Sequence, residues 1–194
     1  MKIAGRMLFA FVIALASPGA RSQQSSSNTE IRVGNLMPYT GALAEFAVIG
    51  KAEAAYFDMI NDSGGINGRK VRFISLDDKS HPAVALDLTR GLVEKDNVLL
   101  MFGSFGTAGN LAVRSFLNER KVPQLFVASG AEELSDPKAF PWTMGWQPSF
   151  RAEGRIYSNY IQAFYPQRNI VVRFGRTTSL GGRSSREFRK GLAI

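Results

Sequence analysis

The chain has 194 residues and carries 24 Lys and Arg against 16 Asp and Glu, for a formal net charge of +8. It contains no cysteine and only one histidine, which excludes disulfides, thiolate metal sites, iron–sulfur clusters and a cysteine nucleophile. Residues 1–22 contribute +3 and residues 173–194 contribute +5, so the body between them is neutral. This location of the charge argues against a nucleic-acid partner.

The first 22 residues are typical of a secretory signal peptide. Lys2 and Arg6 precede an unbroken apolar run at residues 7–16, and small and polar residues follow. The run is too short to cross a bilayer, which takes about 20 residues, although a retained N-terminal anchor is the alternative. We expect residues 1–22 to be removed on export, residues 23–30 to form a polar linker, and the mature chain not to span a membrane.

Strand-like and helix-like segments alternate along the body of the chain. Apolar runs predict strands at residues 31–37, 71–76, 98–102, 122–128, 142–146 and 169–172. Apolar residues spaced three or four apart predict helices at residues 43–61, 82–94, 107–120 and 149–164. This rhythm, with short connections, predicts an α/β fold built on a doubly wound parallel sheet.

Three loops that follow predicted strands carry residues suited to holding a small ligand. They are Pro-Tyr-Thr-Gly at residues 38–41, Gly-Ser-Phe-Gly-Thr at 103–107 and Ala-Ser-Gly at 128–130. In open parallel sheets, ligands bind outside the carboxyl ends of the strands. We expect Thr107 to cap the helix that follows it, whose N-terminus favours a carboxylate. Each loop taken alone is also typical of an ordinary connection between secondary-structure elements. The predicted position of all three at one edge of the sheet favours ligand binding.

Other motifs give weaker signals. Residues 64–70 lack the ending of a phosphate-binding loop. Asp77 and Asp78 fit either a metal or base site or, more commonly, a solvated loop entrance, and His81 fits a surface position at a helix start. An enzyme using Ser129 or the two aspartates is a rival hypothesis, but the sequence supplies neither a base nor an orienting group. We therefore expect no catalysis, no metal site and no cofactor.

Four motifs in order carry a family resemblance. They are the P-x-T-G turn at residues 38–41, GGINGRKV at 64–71, GSFGTAGNLA at 103–112 and KVPQLFVASGAEEL at 121–134. With this order and spacing, the chain resembles the start of a leucine/isoleucine/valine-binding-type periplasmic protein, a type I substrate-binding protein of ABC importers. The resemblance implies two α/β lobes that close on a ligand, a periplasmic location and ABC permease subunits as partners.

The resemblance also divides the chain. Residues 31–146 correspond to an incomplete N-terminal ligand-binding lobe, and residues 147–172 to the start of a second α/β lobe. Residues 173–194 form an Arg-rich tail with few large apolar side chains, which we interpret as out of frame. We expect one lobe and a fragment of the next to bind ligand weakly.

The resemblance further implies a small-molecule ligand, a branched-chain or related amino acid. It assigns the ligand contacts to Tyr39, Ser104, Phe105, Gly106, Thr107, Ala128, Ser129 and Gly130. Tyr39 would act as an apolar wall, while Gly130 and Phe105 depart from the residues common in branched-chain binders. A ligand-sensing module of a receptor or regulator with the same fold is the alternative function.

Overall fold

The computed structural model describes residues 30–167. Its strands are β1 (Glu30–Met37), β2 (Lys70–Asp77), β3 (Leu100–Phe102), β4 (Gln124–Val127) and β5 (Thr143–Gly145). Its α-helices are α1 (Ala47–Asp62), α2 (Pro82–Glu94), α3 (Thr107–Glu119) and α4 (Phe150–Phe164), and short 3-10 helices lie at Ala44–Phe46 and Glu132–Ser135. The predicted signal peptide, nearly all of the linker, the sixth strand and the basic tail lie outside the described residues.

The five strands form one parallel sheet in the order β2-β1-β3-β4-β5. This confirms the predicted α/β fold with a doubly wound parallel sheet. The direction of strand addition reverses between β1 and β3, so the loops leaving these two strands diverge and open a crevice. The order of the strands in the sheet therefore predicts a binding site at the carboxyl ends of β1 and β3.

Apolar side chains cover both faces of the sheet. Val33 packs in a cluster with Phe57 of α1 on one face, and Leu36 packs with Leu92 and Leu117 of α2 and α3 on the other. Because residues two apart in a strand point to the same face, odd and even positions of β1 serve different layers. The near-continuous apolar runs predicted as buried parallel strands are explained by this two-sided coverage.

Strands β3, β4 and β5 are all shorter than predicted, and β3 and β4 show local irregularities. Strand β3 begins at Leu100 rather than residue 98, because the Val98 amide donates to the Leu92 carbonyl and closes the end of α2. Strand β4 shifts register against β5 between Gln124 and Val127. Phe126 there has φ +54°, which is a strained conformation for a bulky residue.

The helix ends agree more closely with the sequence. Pro82 occupies the first turn of α2, and exposed His81 precedes it, as predicted. Ser149 caps α4 by accepting a hydrogen bond from the Ala152 amide. Within residues 30–167, no helix combines the length and apolar composition needed to cross a bilayer.

Candidate ligand-binding cleft

An open cleft of about 530 Å³ lies at the carboxyl edge of the sheet. The loops after β1, β2, β3 and β4 and the start of α4 contribute its walls, which include Phe46, Asp78, Phe105, Thr107, Ser129 and Phe150. Its volume falls in the range usual for small-molecule sites. The cleft thus lies at the edge that the strand order singles out.

The loop between β3 and α3 is held rigidly beside this cleft. Asn110, which is 1% exposed, donates from Nδ2 to the carbonyls of Ser104 (3.1 Å) and Gly106 (2.7 Å). The Ser104 hydroxyl accepts a hydrogen bond from the Leu36 amide of β1 at 3.1 Å. The buried amide side chain therefore sets the path of the loop, and Ser104 anchors the loop to the neighbouring strand.

A chain of buried hydrogen bonds extends this support toward β5. Thr143 Oγ1 donates to Gln124 Oε1 at 3.1 Å, and Gln124 Nε2 donates to Asn110 Oδ1 at 2.9 Å. All three side chains are at most 7% exposed. Because buried polar groups are costly unless paired, this network specifies one arrangement of strands and loop.

The N-terminus of α3 opens into the cleft without a side-chain cap. Gly106, with φ +97°, is the N-cap residue, so the prediction that Thr107 caps this helix is wrong. The Thr107 hydroxyl instead lies 2.7 Å from the Ser129 hydroxyl. No side chain caps the first backbone amides of α3, which lie near Ala108. Free amides of this kind, together with the helix dipole, favour the binding of an anion.

Aromatic rings form the apolar wall of the cleft. The rings of Phe46 and Phe105 stack with centroids 4.4 Å apart and an interplanar angle of 21°. Phe150 fills the space beside Gly130, where an added Cβ would lie 2.8 Å from its ring. The chain therefore offers an aromatic surface next to the helix N-terminus, and Gly130 makes room for one of its rings.

Five of the eight residues assigned to the site line the cleft, namely Phe105, Gly106, Thr107, Ala128 and Ser129. Ser104 is 2% exposed and faces β1, and Gly130 lies beneath Phe150. The Tyr39 hydroxyl lies 2.6 Å from Ser75 Oγ, and this residue packs against Gly50 of α1 instead of the cleft. The aromatic wall that the sequence assigns to Tyr39 is supplied by Phe46.

Asp77 and Asp78 have separate structural roles. Asp77 accepts hydrogen bonds from Thr40 Oγ1 (2.6 Å) and from the amides of Tyr39 and Thr40, so its carboxylate ties the loop after β1 to the end of β2. Asp78 is 2% exposed, and burial raises its pKa above the ordinary value. The interpretation as a solvated loop entrance therefore holds for Asp77 but not for the buried Asp78. No cluster of three metal-ligating side chains occurs within residues 30–167.

A second chamber of about 450 Å³ adjoins the cleft and shares Phe105, Ala128 and Gln147 with it. Its remaining walls are mostly apolar and aromatic, and they include Ile49, Phe102, Phe126 and Trp146. Glu53 of α1 also lines it.

Glu53 is held in this chamber by a polar network that includes the buried side chain of Asn35. Its Oε2 accepts a hydrogen bond from Asn35 Nδ2 at 3.0 Å, and Asn35 Oδ1 accepts one from Ser75 Oγ at 2.6 Å. Burial raises the pKa of Glu53 from 4.5 to about 7. The carboxyl group is therefore partly protonated near neutral pH, which makes it sensitive to any charge that enters the chamber.

The raised pKa of Glu53 predicts a pH-dependent stability. The folded chain binds the Glu53 proton more tightly than the unfolded chain, so this contribution is full below pH 4.5 and is lost as the pH rises toward about 7. The isosteric variant Glu53→Gln should lack this component and become the more stable protein above that range. Urea unfolding of both proteins across this range measures it, and parallel pH profiles would contradict it.

These features define an α/β unit with an open cleft at the switch point of its parallel sheet. A family model described as "Periplasmic binding protein" matches residues 30–191, which includes most of the basic tail. The chain belongs to this family, and its parallel sheet has the type I periplasmic-binding-protein fold. Membership of this family implies an extracytoplasmic location.

Individual relatives agree with this assignment. The chain is 28% identical over 170 residues to an amino acid binding protein of Pseudomonas aeruginosa, covering 83% of this chain and 43% of that protein. It is 26% identical over 171 residues to Leu/Ile/Val-binding protein homolog 7 of Brucella abortus, covering 85% of this chain and 40% of that protein. The chain therefore spans less than half the length of these relatives.

A solved structure shows the same fold. It is the branched-chain amino acid transporter substrate binding protein of Streptococcus pneumoniae in complex with isoleucine. The TM-score is 0.73 at 21% identity, and the match covers 84% of this chain and 47% of that chain.

Proposed function

We propose that the chain is part of the extracytoplasmic substrate-binding component of an ABC importer for amino-acid-type carboxylates. The uncapped N-terminus of α3, which opens into a cleft of ligand size, carries this proposal. The names of its relatives in Pseudomonas and Brucella support the amino-acid class. Residues 1–22 would direct export to the periplasm, and permease subunits would receive the ligand.

The cleft would bind the two ends of such a ligand differently. The amides at the start of α3 would hold the carboxylate, assisted by the hydroxyls of Thr107 and Ser129, because a helix N-terminus combines free donors with a favourable dipole. The stacked rings of Phe46 and Phe105 would cover the apolar part of the ligand.

Residues from 147 onward would begin the second lobe of the clamp. Helix α4 leaves Ile156, Tyr160 and Phe164 between 54% and 65% exposed. Apolar surface of this kind on one helix is typical of a face that packs against further protein. Closure of that lobe over the cleft would exclude water from the bound ligand and complete its contacts.

Replacing Ala108 tests the carboxylate site. Ala108 is exposed in the first turn of α3 and lines the cleft. In Ala108→Glu, the new carboxylate would occupy the anion position and repel the ligand, so we expect affinity to fall by about tenfold or more. Titration of the full chain with L-leucine, L-phenylalanine, L-glutamine and L-lysine, followed by NMR chemical shifts, measures the effect.

A matched variant separates charge from size. Ala108→Gln adds the same volume without a charge, and it should retain most of the binding. An acidic residue in the first turn stabilises a helix by about 0.3–1 kcal/mol, so Ala108→Glu should not melt earlier than the parent chain. Binding of any of these amino acids that is equally strong in all three proteins would refute the carboxylate site, and so would the absence of binding by the parent chain.

A further inference from the structure

The second chamber is built as an extension of the main cleft. The two cavities share Phe105, Ala128 and Gln147 as common walls, so a ligand held at the start of α3 has direct access to the chamber. At about 450 Å³, the chamber is large enough for the distal part of a small ligand.

The position of Glu53 in this chamber depends on two specific neighbours. An added Cβ at Gly103, whose φ is +62°, would overlap Glu53 Oε1, so only glycine leaves space for the carboxyl group. Asn35 is fully buried, and its Nδ2 donates both to Glu53 and to the Phe102 carbonyl at 2.8 Å. Glu53 is thus an oriented side chain whose second oxygen is directed at Gly103 on the chamber wall.

Aromatic rings line the same chamber as this carboxyl group. The ring of Phe126 lies 5.5 Å from that of Phe102 and 5.6 Å from that of Trp146, both in edge-to-face contact. Phe126 reaches this position from a strained backbone conformation, with φ +54° within the irregular part of β4. A carboxylate beside aromatic faces is a combination that stabilises cations, through ion pairing and cation–π attraction.

The charge of the two cavities has one sign. Among the described residues that line them, Glu45, Asp78 and Glu53 are acidic, and there is no Lys, Arg or His. None of the ion pairs found within residues 30–167 includes Glu53. Acidic side chains without basic neighbours favour a ligand whose net charge is positive, and the amides at the start of α3 remain the donors for its carboxylate.

We propose that the second chamber binds a positively charged group at the end of the ligand's side chain, with Glu53 as the residue that selects it. The ligand is then an amino acid with a cationic side chain, not a branched-chain amino acid. This inference rests on the proposed function, because the ligand's carboxylate is placed at the start of α3. A cation entering the chamber would favour the ionised form of Glu53, so that binding releases a proton.

The test compares two amino acids that differ in one charge. L-lysine and L-norleucine share a four-carbon chain, and only lysine ends in an ammonium group. We expect the full chain to bind lysine at least about tenfold more tightly than norleucine, and Glu53→Gln to abolish that preference while norleucine binding is unchanged. NMR of ¹³C-carboxyl-labelled glutamate, with Glu53→Gln used for assignment, should show that lysine shifts the Glu53 resonance toward its ionised position.

The outcomes separate this inference from the proposed function. Equal binding of lysine and norleucine, or a preference for norleucine or 6-hydroxynorleucine, would refute the cation site while the carboxylate site stands. If neither amino acid binds, n-butylammonium, which has no carboxylate, becomes the decisive probe. A shift of the Glu53 resonance with n-butylammonium would support the cation site although the carboxylate site fails, and no shift would refute both.

Discussion

We expect Leu117→Ala to lower the free energy of unfolding by about 2–5 kcal/mol. Leu117 of α3 is fully buried and packs with Leu92, Val113 and Val122 in the larger core cluster. Truncation removes favourable apolar burial and leaves a cavity that the surrounding helices and strands fill only partly. Since domains are stable by only about 5–15 kcal/mol, this one change should remove a large share of the stability. Urea unfolding followed by circular dichroism measures the loss.

The matched control for that variant is Leu99→Ala. Leu99 precedes β3 and is 44% exposed, so the same truncation leaves no buried cavity and should cost less than about 1 kcal/mol. Equal losses for the two variants would show that the cluster between the sheet and helices α2 and α3 is not the main core.

We expect Gly65→Ala to cost about 2–4 kcal/mol of stability. Gly65 has φ +78°, and its amide closes the end of α1 by donating to the Ile60 carbonyl at 2.9 Å. An added Cβ would overlap the carbonyl oxygen of Arg69, which is backbone and cannot rotate away. The turn that connects α1 to β2 would therefore have to open, and thermal unfolding should show a clearly lower midpoint.

Gly68 of the same turn supplies the comparison. Its φ is +75°, but nothing lies within 4 Å of an added Cβ. Gly68→Ala should therefore lower the stability by about 1–2 kcal/mol, which is the cost of the left-handed backbone conformation alone. If Gly65→Ala were no more harmful than Gly68→Ala, the contact with Arg69 would not constrain the turn.

The sequence was most informative about the order of elements and least informative about side-chain directions. Helix α2 follows its predicted bounds because Pro82 marks its first turn and apolar spacing is regular along it. Strand order in the sheet depends on pairing between distant segments, so it cannot be predicted from the apolar periodicity of any one segment. The alternation of strands and helices predicted which edge of the sheet carries the binding loops, and the structure shows which side chains face that edge.

Phe46 and Glu53 show why part of the site was missed. Both belong to the helical pattern of residues 43–61, where Phe46 reads as an ordinary core residue. Glu53 lies three residues after Gly50 and four before Phe57, which places an acid on the apolar face of that helix. This misplaced charge is a signal in the sequence, but its meaning depends on Gly103, which is 50 residues away and comes near only through the fold.

The buried hydrogen bonds from Thr143 through Gln124 to Asn110 have a thermodynamic consequence for the cleft. They fix the loop that ends at Gly106 when the lobe folds, before any ligand arrives. Ordering a loop during binding would subtract from the affinity, and here that entropy has already been lost on folding. The same bonds begin on β5, which leads directly to residues 146–148. The network therefore connects the chain at that point to the loop that borders the cleft.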